Sequence, residues 1–125
     1  ESVNPYDIYL FCQSSLCKRM LKAKDSGKLF QEQPFVIAKP AAEVYPEEES
    51  IQEILVQGIM DAYFEEDGEY VLLDYKTDHI KTEKDLVARY EKQLQVYAEA
   101  LEQMTGKKVK ERVMYSFCLG EEIFV

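Results

Sequence analysis

The dipeptide Asp67-Gly68 constrains this chain more than any other feature, because it separates two β-rich runs, 51–66 and 69–77. Both central residues of the favoured two-residue hairpin turn take positive φ, which Asp and Gly accept readily. The flanking runs are rich in branched and aromatic residues, which favour strands. The sequence therefore predicts a β-hairpin centred on this turn.

The hairpin brings two acids together. Counting outward from a two-residue turn sets Asp61 directly opposite Asp74. Opposed residues have Cβ atoms roughly 4.5–5.5 Å apart, where two like charges destabilise a sheet. Residues two apart on a strand share a face, so we expect Lys76 beside Asp74, with Val71 and Leu73 facing the other way. A three-residue loop would break this register.

Two carboxylates beside an ammonium group have two interpretations. They form a hard-oxygen site suited to Mg²⁺ or Mn²⁺, and in phosphodiester hydrolysis Lys76 would help to stabilise the developing negative charge. The other interpretation is a surface hairpin with ordinary ion pairs, since short motifs often occur by chance. The spacing alone does not choose between them.

The acidity of the chain is local. A net charge of -9, from 15 Lys and Arg against 24 Asp and Glu, argues against a basic nucleic-acid-binding surface over the whole domain. However, residues 40–75 contain eleven of the acids and no Lys or Arg. Basic residues cluster at 18–28, 81–92 and 107–112. Each basic cluster is either a solvated face or a surface that meets phosphates.

The first part of the chain predicts a helix over 5–26. Asn4 before Pro5 is typical of a helix start, and apolar residues then recur at helical spacing as far as Gly27, a natural C-terminal stop. This helix is amphipathic, so we expect one face to lie against the core.

The remaining pattern completes an α/β fold in the order α-β-β-β-α-β. Pro34 makes 29–38 an edge strand or a bulged one, and 39–50 is expected to be a loop. A capping box begins a second long helix over 83–105, and a strand starts at Val109. We expect a central mixed sheet around the hairpin, flanked by the two long helices.

The length of 125 residues suits one domain, 1–125. The three cysteines form neither a CxxC pair nor an even disulfide framework, which favours a soluble protein in the reducing cytoplasm. No apolar stretch reaches the ~18 residues that a membrane span needs, and no glycine begins a G-x-x-x-x-G-K-[ST] motif for ATP. Because the chain begins at Glu1 without Met and ends in strand-like residues 121–125, we expect it to be a piece of a longer protein.

Three motifs follow one another along the chain, namely G-x-x-D at Gly58 to Asp61, D-Y-K-T at Asp74 to Thr77, and Q-x-x-x-Y at Gln93 to Tyr97. In order and spacing they resemble the RecB-like nucleases of the PD-(D/E)xK superfamily. The segments 32–37, 44–46, 55–58 and 93–101 narrow the resemblance to the C-terminal nuclease domain of AddA-type helicase-nucleases. The resemblance covers nearly the whole chain and implies a restriction-endonuclease-like core.

The resemblance also implies roles for individual residues. Asp61 and Asp74 would be catalytic metal ligands, the backbone carbonyl of Tyr75 a third ligand, and Lys76 the catalytic lysine. RecB-like nucleases usually carry a further histidine ligand on an upstream helix, whereas the only histidine here, His79, is expected to be an exposed loop residue. We expect that ligand before residue 1, so the chain alone should be weakly active or inactive.

Three more residues are candidates for support of the active site or for contact with DNA. Gln93 and Tyr97, at i and i+4, share a helix face, although Tyr97 lies on the apolar stripe and is equally a candidate core tyrosine. Glu32 matches a glutamate of the AddA-type pattern. A place near the metal and a strand-edge or capping role are both open for it.

The implied function is a Mg²⁺-dependent deoxyribonuclease, with Mn²⁺ as an alternative ion, acting as an exonuclease on single strands delivered by an ATP-dependent helicase. The implied setting is recombinational repair of double-strand breaks, and the implied partners are DNA ends and an AddB-type protein. An iron-sulfur cluster is not expected, because three separated cysteines cannot supply four ligands. The alternative is a non-catalytic docking module that binds a partner protein through the acidic stretch 40–75. An EF-hand is disfavoured, since Asp67-Gly68 lacks its ligand spacing.

Overall fold

The computed structural model describes residues 3–44, 47 and 52–125. Its helices and strands are, in chain order, α1 Pro5–Gln13, α2 Ser15–Asp25, β1 Leu29–Pro40, α3 Ala41–Val44, β2 Glu53–Glu66, β3 Glu69–Lys76, α4 Glu83–Thr105, β4 Val109–Ser116 and β5 Glu121–Phe124. Within these described ranges, no helix combines the length and the apolar character that crossing a membrane requires.

The five strands form one mixed sheet in the order β1-β2-β3-β4-β5. Neighbouring strands are antiparallel except β3 and β4, which are parallel. A parallel pair needs a crossover connection, and α4 provides it. The expected α/β architecture with a central mixed sheet is confirmed.

The central hairpin has the predicted two-residue turn. Asp67 and Gly68 take φ of 56° and 81°, as a tight hairpin turn requires. The β2–β3 ladder then runs in unbroken register as far as Ala62 opposite Leu73. The register predicted from the turn is therefore confirmed as far as Ala62 and Leu73, and the ladder ends before it would pair Asp61 with Asp74.

Helices cover both faces of the sheet. The core on one face, called the α4 core below, includes Phe35, Met60, Tyr63, Leu72, Leu86, Leu94, Leu101 and Met114. The core on the other face, called the α2 core, includes Leu16, Met20, Ala62, Phe64, Val71, Leu73 and Val113. Because side chains alternate along a strand, membership of a core shows which way a strand residue points.

The prediction of a single N-terminal helix over 5–26 is wrong, because α1 and α2 are separate helices that meet at Ser14. Ser14 is extended, with φ -71° and ψ 154°. Its hydroxyl accepts a hydrogen bond from the Cys17 N–H at 3.1 Å and donates one to the Phe11 carbonyl at 2.6 Å. One serine therefore ends α1 and caps α2, a competition with helix hydrogen bonds that apolar spacing does not reveal.

Other boundaries differ less. The edge strand β1 extends to Pro40 and is followed by α3, where a loop was predicted over 39–50. The rest of that loop, apart from residue 47, lies outside the described residues. The strand-like end of the chain is β5, which the predicted order of elements omitted. Its residue Ile123 is fully buried.

Candidate active site

The site begins where the β2–β3 ladder ends. Beyond Ala62 and Leu73 the two strands separate, and residues 53–60 of β2 pair with β1 alone. The N–H of Tyr75 donates instead to Asp61 Oδ2 at 2.8 Å. A carboxylate thus replaces the backbone carbonyl that a continued ladder would have supplied. Asp61 is fixed at the point where β2 leaves β3.

Both β1 and β2 lose their regular side-chain alternation at this level. Met60 lies in the α4 core and Ala62 in the α2 core, although residues two apart on a regular strand share a face. On β1, Glu32 takes a positive φ of 51° and makes no ladder pair. Positive φ is uncommon outside glycine and marks a local irregularity. The sequence pattern left a bulge in 29–38 open because of Pro34, but it gave no sign of the change in β2.

An open cleft lies beside the point of separation. It has a volume of about 290 Å³ and is lined by Gln31, Glu32, Asp61 and Tyr75. Glu32, for which two roles were open, therefore shares a cleft with Asp61, and its side chain is exposed. The cleft gives solutes access to one of the two acids.

Asp74 is the buried acid of the pair, with 6% of its surface exposed. Burial raises the pKa of Asp74 to about 7, and the Asp61 carboxyl adds to the rise, while the Lys76 ammonium opposes it. Asp74 Oδ2 lies 2.7 Å from Lys76 Nζ, yet this buried oxygen accepts no hydrogen bond of good geometry. We interpret the contact as an ion pair that leaves the oxygen incompletely satisfied.

Lys76 is held on several sides. Its side chain is only 11% exposed, and besides the Asp74 contact its ammonium donates to Gln93 Oε1 at 3.1 Å. The ring of Tyr90 lies below the ammonium, with the centroid 3.6 Å from Nζ. The predicted placement of Lys76 beside Asp74 is confirmed. Both also lie on the side of the sheet that α4 covers.

Tyr97 contacts both the core and Gln93. Its ring packs edge-on against Phe35 with centroids 5.0 Å apart, while its hydroxyl accepts a hydrogen bond from Gln93 Nε2 at 3.3 Å. Burial raises the pKa of Tyr97, and the nearby carboxylates of Asp74 and Asp61 add to this. Gln93 thus connects the core tyrosine to the ammonium of Lys76.

Gly58, the glycine of the G-x-x-D motif, leaves room for this packing. A Cβ at this position would lie 2.9 Å from Cε2 and 3.2 Å from Cζ of Phe35, and 3.6 Å from the Tyr97 hydroxyl. Contacts below 3.0 Å force a neighbour to move. The motif glycine is therefore explained by close packing of β2 against an aromatic pair.

Sequence reasoning missed a second group of contacts around Lys76. The hydroxyl of Tyr90 donates to Asp78 Oδ2 at 2.7 Å, and Arg89 Nη1 donates to the same oxygen at 2.9 Å. The hydrogen bond from Tyr90 is the main cause that lowers the pKa of Asp78. The available signal was the i, i+3 spacing of Tyr90 and Gln93, which sets them on one helix face.

Two further observations bear on metal binding. His79 is exposed, as expected, and lines a different cleft together with Lys81 and Arg89. In the part of the chain that the structure describes, no cluster of three or more His, Cys, Asp or Glu side chains could hold a metal ion. Asp61 and Asp74 alone therefore do not make such a cluster.

Comparison with known proteins identifies a family that matches this chain. A family model described as the PD-(D/E)XK nuclease superfamily matches residues 10–122. An ATP-dependent helicase/nuclease subunit of Clostridium botulinum strain Loch Maree (type A3) is 43% identical over 125 residues, which cover 97% of this chain and 10% of that protein. The protein of the same name from strain Alaska E43 (type E3) is 41% identical over 129 residues, with 100% and 10% covered.

The chain therefore spans about a tenth of the length of these curated relatives. The position of the matching region along the longer relatives stays a prediction. The family model, in contrast, covers almost every described element from α1 to β5. The resemblance predicted from the three motifs is confirmed, and the chain belongs to the PD-(D/E)XK nuclease superfamily.

Proposed function

We propose that this chain is a metal-dependent DNA nuclease domain that hydrolyses phosphodiester bonds, with Asp61, Asp74 and Lys76 as its catalytic residues. One observation carries the proposal. Asp74 has a buried, incompletely satisfied oxygen, and it lies beside the Lys76 ammonium and close to Asp61, which lines an open cleft. An ordinary surface hairpin does not require such an arrangement, because burying a carboxylate without full hydrogen bonding costs free energy.

The carboxylate oxygens of Asp61 and Asp74 suit a hard divalent cation, and nucleases of this superfamily generally use divalent metals. The N–H and C=O of one strand residue point to the same edge. The Tyr75 N–H points toward Asp61, so its carbonyl is also directed to the edge that β2 has left. We propose Asp61, Asp74 and this carbonyl as ligands of Mg²⁺, with Mn²⁺ as a substitute. A bound Mg²⁺ would polarise a phosphoryl oxygen and lower the pKa of the attacking water.

The protein's own residues would orient the reaction. Lys76 is a fixed positive charge next to Asp74 and would stabilise negative charge that develops on the phosphate. Gln93 holds the ammonium from the helix side, and Tyr97 holds Gln93. Glu32, on the wall of the cleft, would contact DNA or water near Asp61. These groups are in place before any substrate binds, which lowers the cost of orienting them.

In the full-length protein we propose an exonuclease that acts on single strands delivered by an ATP-dependent helicase during double-strand break repair in the cytoplasm. The matched relatives are named helicase/nuclease subunits, which supports this setting. We further propose that the chain forms a single nuclease domain that relies on the rest of an AddA-type protein and on an AddB-type partner. One role of the rest would be to supply the upstream histidine ligand that the resemblance to RecB-like nucleases implies.

The test is DNA cleavage by the full-length protein with Mg²⁺ after Asp74→Asn or Lys76→Gln. Removal of a group that stabilises the transition state costs about 100-fold or more, so we expect that loss in cleavage while ATP hydrolysis stays unchanged. Asp67→Asn is the matched control, because this acid lies in the hairpin turn with 90% of its side chain exposed. Unchanged cleavage after either active-site substitution would contradict the proposal.

Binding of Mn²⁺ separates catalysis from the docking alternative. In full-length protein without nucleotide, Asp61→Asn combined with Asp74→Asn should remove one Mn²⁺ site that the wild type has. The docking interpretation would gain if wild type and double variant bound the same amount of Mn²⁺ at millimolar concentration.

A further inference from the structure

We propose that Tyr90 is a positioning residue that fixes the ammonium group of Lys76, and that Asp78 in turn holds Tyr90. The inference rests on the nuclease function proposed above and adds two residues outside the three sequence motifs. Tyr90 and Asp78 would touch neither the phosphate nor a metal ion. They would act through Lys76.

The first step is the contact between the ring and the ammonium. The centroid of Tyr90 lies 3.6 Å from Lys76 Nζ, well inside the roughly 6 Å limit for attraction between a cation and an aromatic face. Such attraction is strongest where water is excluded, and the Lys76 side chain is 11% exposed. The ring therefore covers a side of the ammonium that Asp74 and Gln93 leave open.

The second step is the support of the ring itself. The Tyr90 hydroxyl donates to Asp78 Oδ2 at 2.7 Å, and Arg89 donates to the same oxygen at 2.9 Å. Asp78 lies two residues beyond Lys76, the last residue of β3, whereas Tyr90 and Arg89 belong to α4. The hydrogen bonds thus tie the end of the strand that carries the lysine to the helix that carries the ring.

The third step is the consequence for the lysine. A lysine side chain is a point charge on a flexible stem, and it keeps one position only where its surroundings fix it. Catalytic groups need neighbours that hold them within about 0.5 Å of the productive geometry. Tyr90 and Gln93, at i and i+3 on α4, contact the ammonium from two directions. Loss of the ring would leave the charge present but less well placed.

The experiment compares Tyr90→Leu and Tyr90→Phe in the full-length protein by single-strand cleavage with Mg²⁺. Tyr90→Leu removes the aromatic face and should lower kcat about tenfold with KM unchanged, because only the transition state is affected. Tyr90→Phe keeps the aromatic face and loses only the hydrogen bond to Asp78, so its kcat should lie between those of the wild type and Tyr90→Leu. Tyr6→Leu, a tyrosine of α1 that is 66% exposed, is the matched control.

Limited proteolysis of the nuclease domain in each variant reports whether this domain is folded, and Tyr90→Met replaces Tyr90→Leu if the latter fails this check. Wild-type kcat in the folded Leu or Met variant would overturn the inference. So would a Phe variant as slow as the Leu variant, or a raised KM with kcat unchanged. Lys76→Gln is run in parallel. If it cleaves DNA at the wild-type rate, the proposed function fails, whatever Tyr90 does.

Discussion

Asp61 and Asp74 follow the last pair of one ladder, yet their carboxylates have different surroundings. Asp61 accepts the Tyr75 N–H and lines an open cleft. Asp74 is buried, and burial raises its pKa to about 7. Its compensation comes from the Lys76 ammonium at 2.7 Å. The two aspartates therefore differ in their surroundings, because Asp61 remains in contact with water and Asp74 does not.

At the same scale, Gly58→Ala tests the close packing behind the G-x-x-D motif. The new Cβ would lie 2.9 Å from a ring atom of Phe35, and overpacking of this kind costs about 1–3 kcal/mol. We expect the free energy of unfolding in urea to fall by that amount. Cleavage should fall too, since a displaced Phe35 also moves Tyr97, which holds Gln93.

A double-mutant cycle identifies the clash as the cause. Phe35→Leu alone opens space in the core and destabilises the protein, but combined with Gly58→Ala it should cost less than the sum of the single substitutions. Additive losses would mean that the Cβ contact with Phe35 is not the reason for the glycine.

At the scale of helices and strands, the predictions that rest on a specific turn sequence are confirmed, and those that rest on apolar spacing alone are less accurate. The hairpin was predictable because Asp67-Gly68 specifies its turn and therefore its register. The split at Ser14 was not, because a serine is compatible with a helix interior until its hydroxyl finds the Phe11 carbonyl and the Cys17 N–H. Pro34 left a bulge in 29–38 open, but the position of the irregularity at Glu32 was not predictable, since it depends on where β2 leaves its neighbour.

Ser14→Ala tests the junction of α1 and α2. The substitution removes the acceptor for the Cys17 N–H, and loss of an N-cap side chain costs about 1 kcal/mol. The free energy of unfolding should fall by about this much. Ser26→Ala is the matched control, because Ser26 is an exposed serine at the other end of α2 and should cost less. Equal effects would mean that the capping contact of Ser14 contributes nothing special.

For the molecule as a whole, the candidate site was predictable only in part. The grouping of Asp61, Asp74 and Lys76 depends on hairpin register, which the sequence specifies. The contacts that link Tyr90 and Asp78 to Lys76 depend on how α4 lies against the sheet. The position of α4 is in turn set by packing of the α4 core. A helical pattern shows which residues share a face, but it does not show what that face meets.

Charge is also organised across the whole molecule. Acids of the stretch 40–75 pair with basic residues from distant elements, so part of the local acidity is neutralised within the fold. Glu65 Oε1 lies 2.7 Å from Lys107 Nζ, and Glu66 Oε1 lies 2.7 Å from Arg19 Nη2 and 2.9 Å from Lys110 Nζ. Two of the three basic clusters thus meet carboxylates of the hairpin. Fewer of their charges are left for phosphates than the sequence suggested.

The network at Glu66 joins α2, β2 and β4, and it should make the stability of the molecule depend on pH. Hydrogen bonds from Arg19 and Lys110 hold the pKa of Glu66 at about 2, below its ordinary value of 4.5. A carboxylate with a lowered folded-state pKa adds stability above its unfolded-state pKa, and this is lost as pH falls through the folded value. Glu66→Gln should therefore be less stable than wild type by about 1–2 kcal/mol near neutral pH, and the difference should vanish near pH ~2. Urea unfolding of both proteins between pH 7 and pH ~2 measures this difference. Glu121→Gln, at an exposed glutamate, is the control. A difference in stability that stays constant with pH would contradict the role of the Glu66 pKa.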